Sequence, residues 1–201
     1  MKLDPFYLIV DSSDWLARLV PHGVKLVQLR IKDRNEAALR DEIRRAKAIC
    51  AEHDCQLVVN DYWQLAIDEA CDFVHLGQED LAEADVAAIK QAGLKLGVSS
   101  HDHAELDTAL AADPDYVALG PIYPTILKKM KWAPQGLDRL REWKQRIGPL
   151  PLVAIGGLTP ERLPGVFAAG ADSASVVTDI LTNPDPEART REWIAATEAW
   201  R

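Results

Sequence analysis

Eight short apolar runs, each followed by a stretch of helical periodicity, predict an α/β chain of the (β/α)8, or TIM-barrel, class. Two further observations favour a closed barrel over an open, doubly wound sheet. Eight units in 201 residues average about 25 residues each, the small end of the barrel's range. No GxGxxG turn follows the first run, where an open dinucleotide-binding sheet would carry one. Residues 1–201 are read as a single domain, because no linker or biased segment divides them.

The predicted strands are Phe6–Val10, Leu26–Leu29, Leu57–Asn60, Phe73–Leu76, Lys95–Val98, Tyr116–Leu119, Leu152–Ile155 and Ser173–Val177. They are short and mostly apolar, as strands buried on both faces of a parallel sheet must be. Helical signals separate them. After the second strand, Asn35 and Glu36 open a stretch with apolar Leu39, Ile43, Ala46, Ile49 and Cys50 at helical spacing. After the third, Tyr62–Ala70 reads as helix. Gly93 falls where a helix ends before the fifth strand, and Asp102 with Glu105 has capping-box spacing after it. Gly120–Gln135, beyond the sixth strand, is a long loop carrying Lys128, Lys129 and Lys131. Thr159-Pro160 starts the next helix, Pro164 interrupts or restarts it, and Gly170 ends it.

Lys and Arg number 23 against 31 Asp and Glu, a net charge of −8. Broad electrostatic binding to nucleic acid or an anionic membrane is therefore disfavoured, and the partners expected are small molecules. An anionic ligand needs a local basic site or a metal ion. The apolar run at Phe6–Val10 is too short for a signal peptide or a membrane span, so a cytoplasmic protein is expected. Cys50, Cys55 and Cys71 form no CxxC pair and are read as buried reduced thiols.

Barrel strands converge their C-terminal ends on one face, and here nearly every strand delivers a polar group there. Gln28, Arg30 and Lys32 alternate, placing an amide and two cations on one side, a set suited to phosphate oxygens. Asn60-Asp61 and Asp80 end adjacent strands; two carboxylates beside cations and phosphates are what Mg²⁺ commonly uses. Asp61 could instead cap the following helix. Gly156-Gly157 and Val177-Thr178 follow the seventh and eighth strands, where barrels bind phosphate through backbone N–H groups. His75 is read as a packed or hydrogen-bonded histidine. His101-Asp-His103 lacks a third ligand for zinc, and Asp102 fits a cap better. Trp63 is assigned to packing.

Eight segments in order resemble thiamine-phosphate synthases: Tyr7-Leu-Ile-Val-Asp11, Gln28-Leu-Arg-Ile-Lys-Asp33, Val59-Asn-Asp-Tyr62, Val74-His-Leu-Gly-Gln-Glu-Asp80, Leu96-Gly-Val-Ser99, Leu119-Gly-Pro-Ile-Tyr-Pro-Thr125, Ala154-Ile-Gly-Gly157 and Val176-Val-Thr178. The resemblance implies Mg²⁺-dependent joining of 4-amino-2-methyl-5-hydroxymethylpyrimidine diphosphate to 4-methyl-5-(2-hydroxyethyl)thiazole phosphate, or its carboxylated form. The products would be thiamine phosphate and pyrophosphate. It assigns Gln28, Arg30, Lys32 and Asn60 to the pyrimidine diphosphate, Asp61 and Asp80 to Mg²⁺, Ser99 to the pyrimidine side and Lys128 to the diphosphate. Thr125, Ile126, Leu127, Gly157, Val177 and Thr178 fall to the thiazole phosphate. Arg30, Lys32, Lys128 and Ser99 are the expected catalytic groups. No nucleophile is needed, since departure of pyrophosphate leaves a cation that the aminopyrimidine stabilises.

The family loop commonly reads Pro-Thr-x-Thr-Lys, whereas here Leu127 stands at the second threonine. A hydroxyl bond to a charged phosphate is worth roughly 1.5–3 kcal/mol. A thiazole half-site weakened by roughly tenfold to a hundredfold is therefore expected, and Leu127→Thr should restore it. Thr178 replaces a common serine and keeps the hydroxyl. Two alternatives stand beside the synthase: a thiazole tautomerase-like isomerase using His101 or His103, and a non-catalytic ligand-binding relative impaired at Leu127.

Overall fold

The structure, a computed structural model, describes residues 1–125 and 132–201. Eight parallel strands pair in sequence order and close into a barrel. They are β1 (Phe6–Val10), β2 (Leu26–Leu29), β3 (Gln56–Asn60), β4 (Phe73–Leu76), β5 (Lys95–Ser100), β6 (Tyr116–Leu119), β7 (Leu152–Ile155) and β8 (Ser173–Val176). Five match the sequence reading end to end. The other three differ by one or two residues at an end. Gln56 joins β3 through pairing with Leu26, and Ser99 and Ser100 extend β5 through pairing with Ala118 and Leu119. Val177 leaves β8 to stand before the short helix Thr178–Leu181.

Strand parity divides the core into two shells. One set of side chains faces the helices and joins a large outer core. The alternate set fills the barrel's lower interior with Leu3, Tyr7, Leu26, Val58, Phe73, Tyr116, Ala118 and Val153. The two shells need different residues. Outward Ser100 is buried because its hydroxyl donates to Ala118 O at 3.0 Å and accepts from Trp143 Nε1 at 2.9 Å, docking helix Gly136–Ile147 on β5 and β6. Inward Gly97 leaves space that the Tyr116 ring occupies.

The helical signals mostly hold. Asn35 caps helix Glu36–Glu52 by accepting from Ala38 N at 2.9 Å, and its buried face is Leu39, Ile43, Ala46 and Cys50. Asp102 caps helix His103–Ala111. A 3₁₀ turn over Pro160–Arg162 precedes helix Leu163–Ala168, with Pro164 at its start, where a missing N–H costs nothing. Gly93 and Gly170 take φ of 77° and 102° after their helices. The predicted Tyr62–Ala70 helix is shorter, Trp63–Asp68, and Asp61 does not cap it. All three cysteines are buried and unbridged. Among the described residues no helix is long and apolar enough to cross a membrane.

Candidate active site

A cleft of about 620 Å³ opens at the C-terminal ends of the strands. One wall carries Gln28, Arg30, Lys32, Asn60, Asp61 and Asp80, and Ser99 lies beyond them; the opposite wall carries Thr125, Gly157, Val177 and Thr178. The structure thus brings together every predicted site residue except Ile126, Leu127 and Lys128, which lie outside the described residues, as do Lys129 and Lys131. Asp11 is exposed and is not among the cleft residues. Arg30 and Lys32 lie past the end of β2, so strand parity alone did not place them.

Asp61 is built for something other than capping. Its backbone sits at φ 67°, a left-handed conformation that Asp tolerates better than most residues. Its N–H donates to His75 O at 2.9 Å and its carbonyl accepts from Trp63 N at 2.8 Å. With the backbone so held, the carboxylate forms an ion pair with Lys32. Asp80 lies in the first turn of helix Gln78–Glu83. Burial, and then the neighbouring Asp61 carboxylate, push its carboxyl above the usual range. Two crowded carboxylates of this kind suit a hard dication, which relieves the repulsion between them. Among the described residues no third His, Cys, Asp or Glu joins the pair, so the remaining ligands would have to be substrate oxygens and water. Beside them, buried Asn60 leaves its Nδ2 without a partner among the described residues.

The opposite wall depends on two glycines. Gly156 and Gly157 take φ of 97° and 65°. A Cβ at Gly156 would lie 2.6 Å from Pro121 Cα, and one at Gly157 would lie 2.8 Å from Tyr123 Cβ. Side chains there would part the β6 and β7 loops, which pair through Ile122 N to Ile155 O at 2.9 Å and Tyr123 N to Gly156 O at 3.0 Å. Arg162 spans this seam, donating to Gly157 O with its guanidinium over the Tyr123 ring at 4.4 Å. Next to it, Arg189 and Trp193 Nε1 both donate to the Asp179 carboxylate and fix the short helix after β8.

Beneath the cleft runs a chain of buried polar contacts that the sequence reading missed. Gln28 Nε2 donates to Tyr7 Oη at 2.9 Å, and Tyr7 Oη lies 3.0 Å from Tyr116 Oη. Tyr116 Oη is 2.7 Å from His75 Nδ1, and His75 Nε2 is 2.8 Å from Ser99 Oγ. The signal was available: a tyrosine at inward parity in a packed barrel must find a partner for its hydroxyl. Burial raises both tyrosines above their usual range and lowers His75 to about 4. Between that value and the ordinary 6.5 the unfolded chain binds the extra proton. Stability should therefore be full above pH 6.5 and fall by about 3 kcal/mol as pH drops toward 4. Urea midpoints against pH for the wild type and His75→Gln check this; equal slopes in that window would refute it.

The two histidines of the zinc alternative go to different places. His101 pairs with Glu105 at 2.6 Å and stacks on Trp132 at the cleft, with ring centroids 5.7 Å apart. His103 is exposed, against Trp143, Arg146 and Glu142. Trp63 is half-buried against the outer core.

Residues 6–180 match the family model described as thiamine monophosphate synthase. The thiamine-phosphate synthase of Rhizobium etli is 73% identical over 201 residues, spanning all of this chain and 98% of that protein. That of Klebsiella pneumoniae is 48% identical over 193 residues, 96% of this chain and 92% of the relative. Among solved structures, a thiamine phosphate pyrophosphorylase from Pyrococcus furiosus superposes with a TM-score of 0.86 at 24% identity, covering 98% of this chain and 96% of that one. At that identity it attests the fold, while the two sequence relatives and the family model attest more: the chain belongs to the thiamine monophosphate synthase family, and is a transferase.

Proposed function

We propose that this chain, as one domain over residues 1–201 in a cytoplasmic setting, joins the pyrimidine diphosphate to the thiazole phosphate, giving thiamine phosphate and pyrophosphate. The observation that carries the reading is the juxtaposition of the Asp61–Asp80 pair and the Arg30 and Lys32 cations on one wall with the glycine-lined turn on the other. The two walls suit two different phosphate-bearing molecules in one cleft.

In this reading Asp61 and Asp80 hold Mg²⁺, which when bound neutralises charge on the diphosphate. Arg30 and Lys32, with Lys128 from the loop, bind diphosphate oxygens and stabilise the leaving group. Asn60 Nδ2 donates to the same substrate. Ser99 and Gln28 hold the pyrimidine ring. Thr125, Ile126 and Leu127, with Gly157, Val177 and Thr178, seat the thiazole phosphate, so that its ring nitrogen faces the methylene that loses pyrophosphate. Alignment of two bound rings replaces a nucleophile or strong base.

The test is product formation from the two purified substrates with Mg²⁺ and with excess EDTA. Thiamine phosphate should appear with the metal and vanish with the chelator. Turnover unaffected by EDTA would overturn the metal assignment, and binding of both substrates without product would favour the non-catalytic relative. Isomerisation of the thiazole that persists in chelator would favour the isomerase.

A further inference from the structure

We infer that Tyr7, Tyr116 and His75 are positioning residues that give the buried hydrogen-bond chain one direction, so that Ser99 presents its O–H, and not a lone pair, to the pyrimidine. The inference rests on the synthase reading above and adds the protonation pattern of its floor.

The chain crosses the barrel from Gln28 to Tyr7, Tyr116, His75 and Ser99, through β2, β1, β6, β4 and β5 in turn. Each phenol has one hydrogen, and a neutral imidazole has one N–H. Such a chain has only two consistent directions, and all its hydrogens switch together. The end group chooses between them. The Gln28 amide nitrogen faces Tyr7 Oη, and an amide nitrogen can only donate. Tyr7 then donates to Tyr116, and Tyr116 donates to His75 Nδ1. That nitrogen therefore carries no hydrogen, and the proton of the neutral ring sits on Nε2. Nε2–H donates to Ser99 Oγ, so the serine hydrogen is the one left over for the cleft. Burial supports the premise, since Tyr7, Tyr116 and His75 are all within the protein, where a neutral, fully paired chain is favoured over a charged one.

The two ends of the chain are complementary to an aminopyrimidine. Ser99 offers a donor, suited to a ring nitrogen. Gln28 donates one amide N–H below to Tyr7 and keeps its carbonyl oxygen, suited to an exocyclic amine. A neutral donor also fits the chemistry. A full cation beneath the ring would oppose the positive charge that develops on its methylene.

Nitrogen NMR of histidine-labelled protein at neutral pH reads the tautomer directly, with His75→Gln identifying the signal. His75 should carry its hydrogen on Nε2. A hydrogen on Nδ1 would mean the chain runs the other way and would overturn the proposal, whether or not the protein makes thiamine phosphate. Tyr116→Phe cuts the chain in the middle. It should lower kcat by about tenfold, roughly the worth of one well-aligned hydrogen bond, with little change in KM for the thiazole phosphate. A lowered Tm with wild-type kcat in the folded fraction would make the chain structural only and would also overturn the proposal. Should Tyr116→Phe fail to fold, the wild-type tautomer still decides. An inactive wild type would instead count against the synthase reading.

Discussion

Asp80→Asn should lower kcat on the order of a thousandfold while leaving a protein at least as stable as the wild type. The two effects share one cause. Asp80 stands beside Asp61, and its carboxyl is raised by burial and by that neighbour, so the pair is a repulsive arrangement in the unliganded protein. Asparagine removes the repulsion, keeps the shape and leaves the Lys32–Asp61 ion pair untouched. A gain of roughly 1 kcal/mol would raise Tm by about 2–4 °C for a chain of this size. The catalytic loss follows because a neutral amide is a poor ligand for a hard dication. Steady-state kinetics against Mg²⁺ concentration, together with a thermal melt, check both halves. Near-wild-type turnover at ordinary Mg²⁺ would remove Asp80 from the metal site. A large fall in Tm would show that the carboxylate is needed for the fold.

Gly97→Ala should destabilise by roughly 3 kcal/mol, one methyl group at the upper end of what overpacking usually costs. A Cβ at Gly97 would lie 2.6 Å from the Tyr116 hydroxyl oxygen and closer still to the ring carbons. Tyr116 has no room to retreat. It is fully buried, packed edge-on against Phe73 at 5.6 Å and Tyr7 at 6.1 Å, and hydrogen-bonded to His75. Gly165→Ala is the control. Its Cβ would meet only the end of the half-buried Leu137 side chain at 3.2 Å, inside helix Leu163–Ala168, where alanine is favoured over glycine by about 1 kcal/mol. Urea denaturation of the two variants should move their midpoints in opposite directions. A Gly97→Ala midpoint equal to the wild type would mean that the barrel interior has slack that the packing does not show.

The barrel was legible because burial on both faces of each strand leaves a plain record in short apolar runs. Strand ends were less legible. Ser100 looks like a polar terminus until its partners Trp143 and Ala118, far along the chain, bury it. The site's composition was legible too, since charged and amide residues collect at one end of the strands. What local sequence did not decide was the backbone around Asp61: cap and ligand readings differ in φ, which the neighbouring β4 carbonyl sets. The roles of Tyr7 and Tyr116 are hidden in the sequence for a different reason. Hydropathy patterning counts tyrosine as core and is blind to the hydroxyl, whose partners come from other strands.

The tier of side chains from Leu3 up to Tyr116 and Val153 stoppers the barrel below the cleft, leaving, among the described residues, a vessel with a single door. Everything that enters must leave by the way it came. The molecule seated deepest goes in first, and whatever stands above it comes out before it. Traffic through a one-door vessel is a queue, so for a reaction that takes in two molecules and gives back two, the pace of turnover is tied to how fast the queue clears.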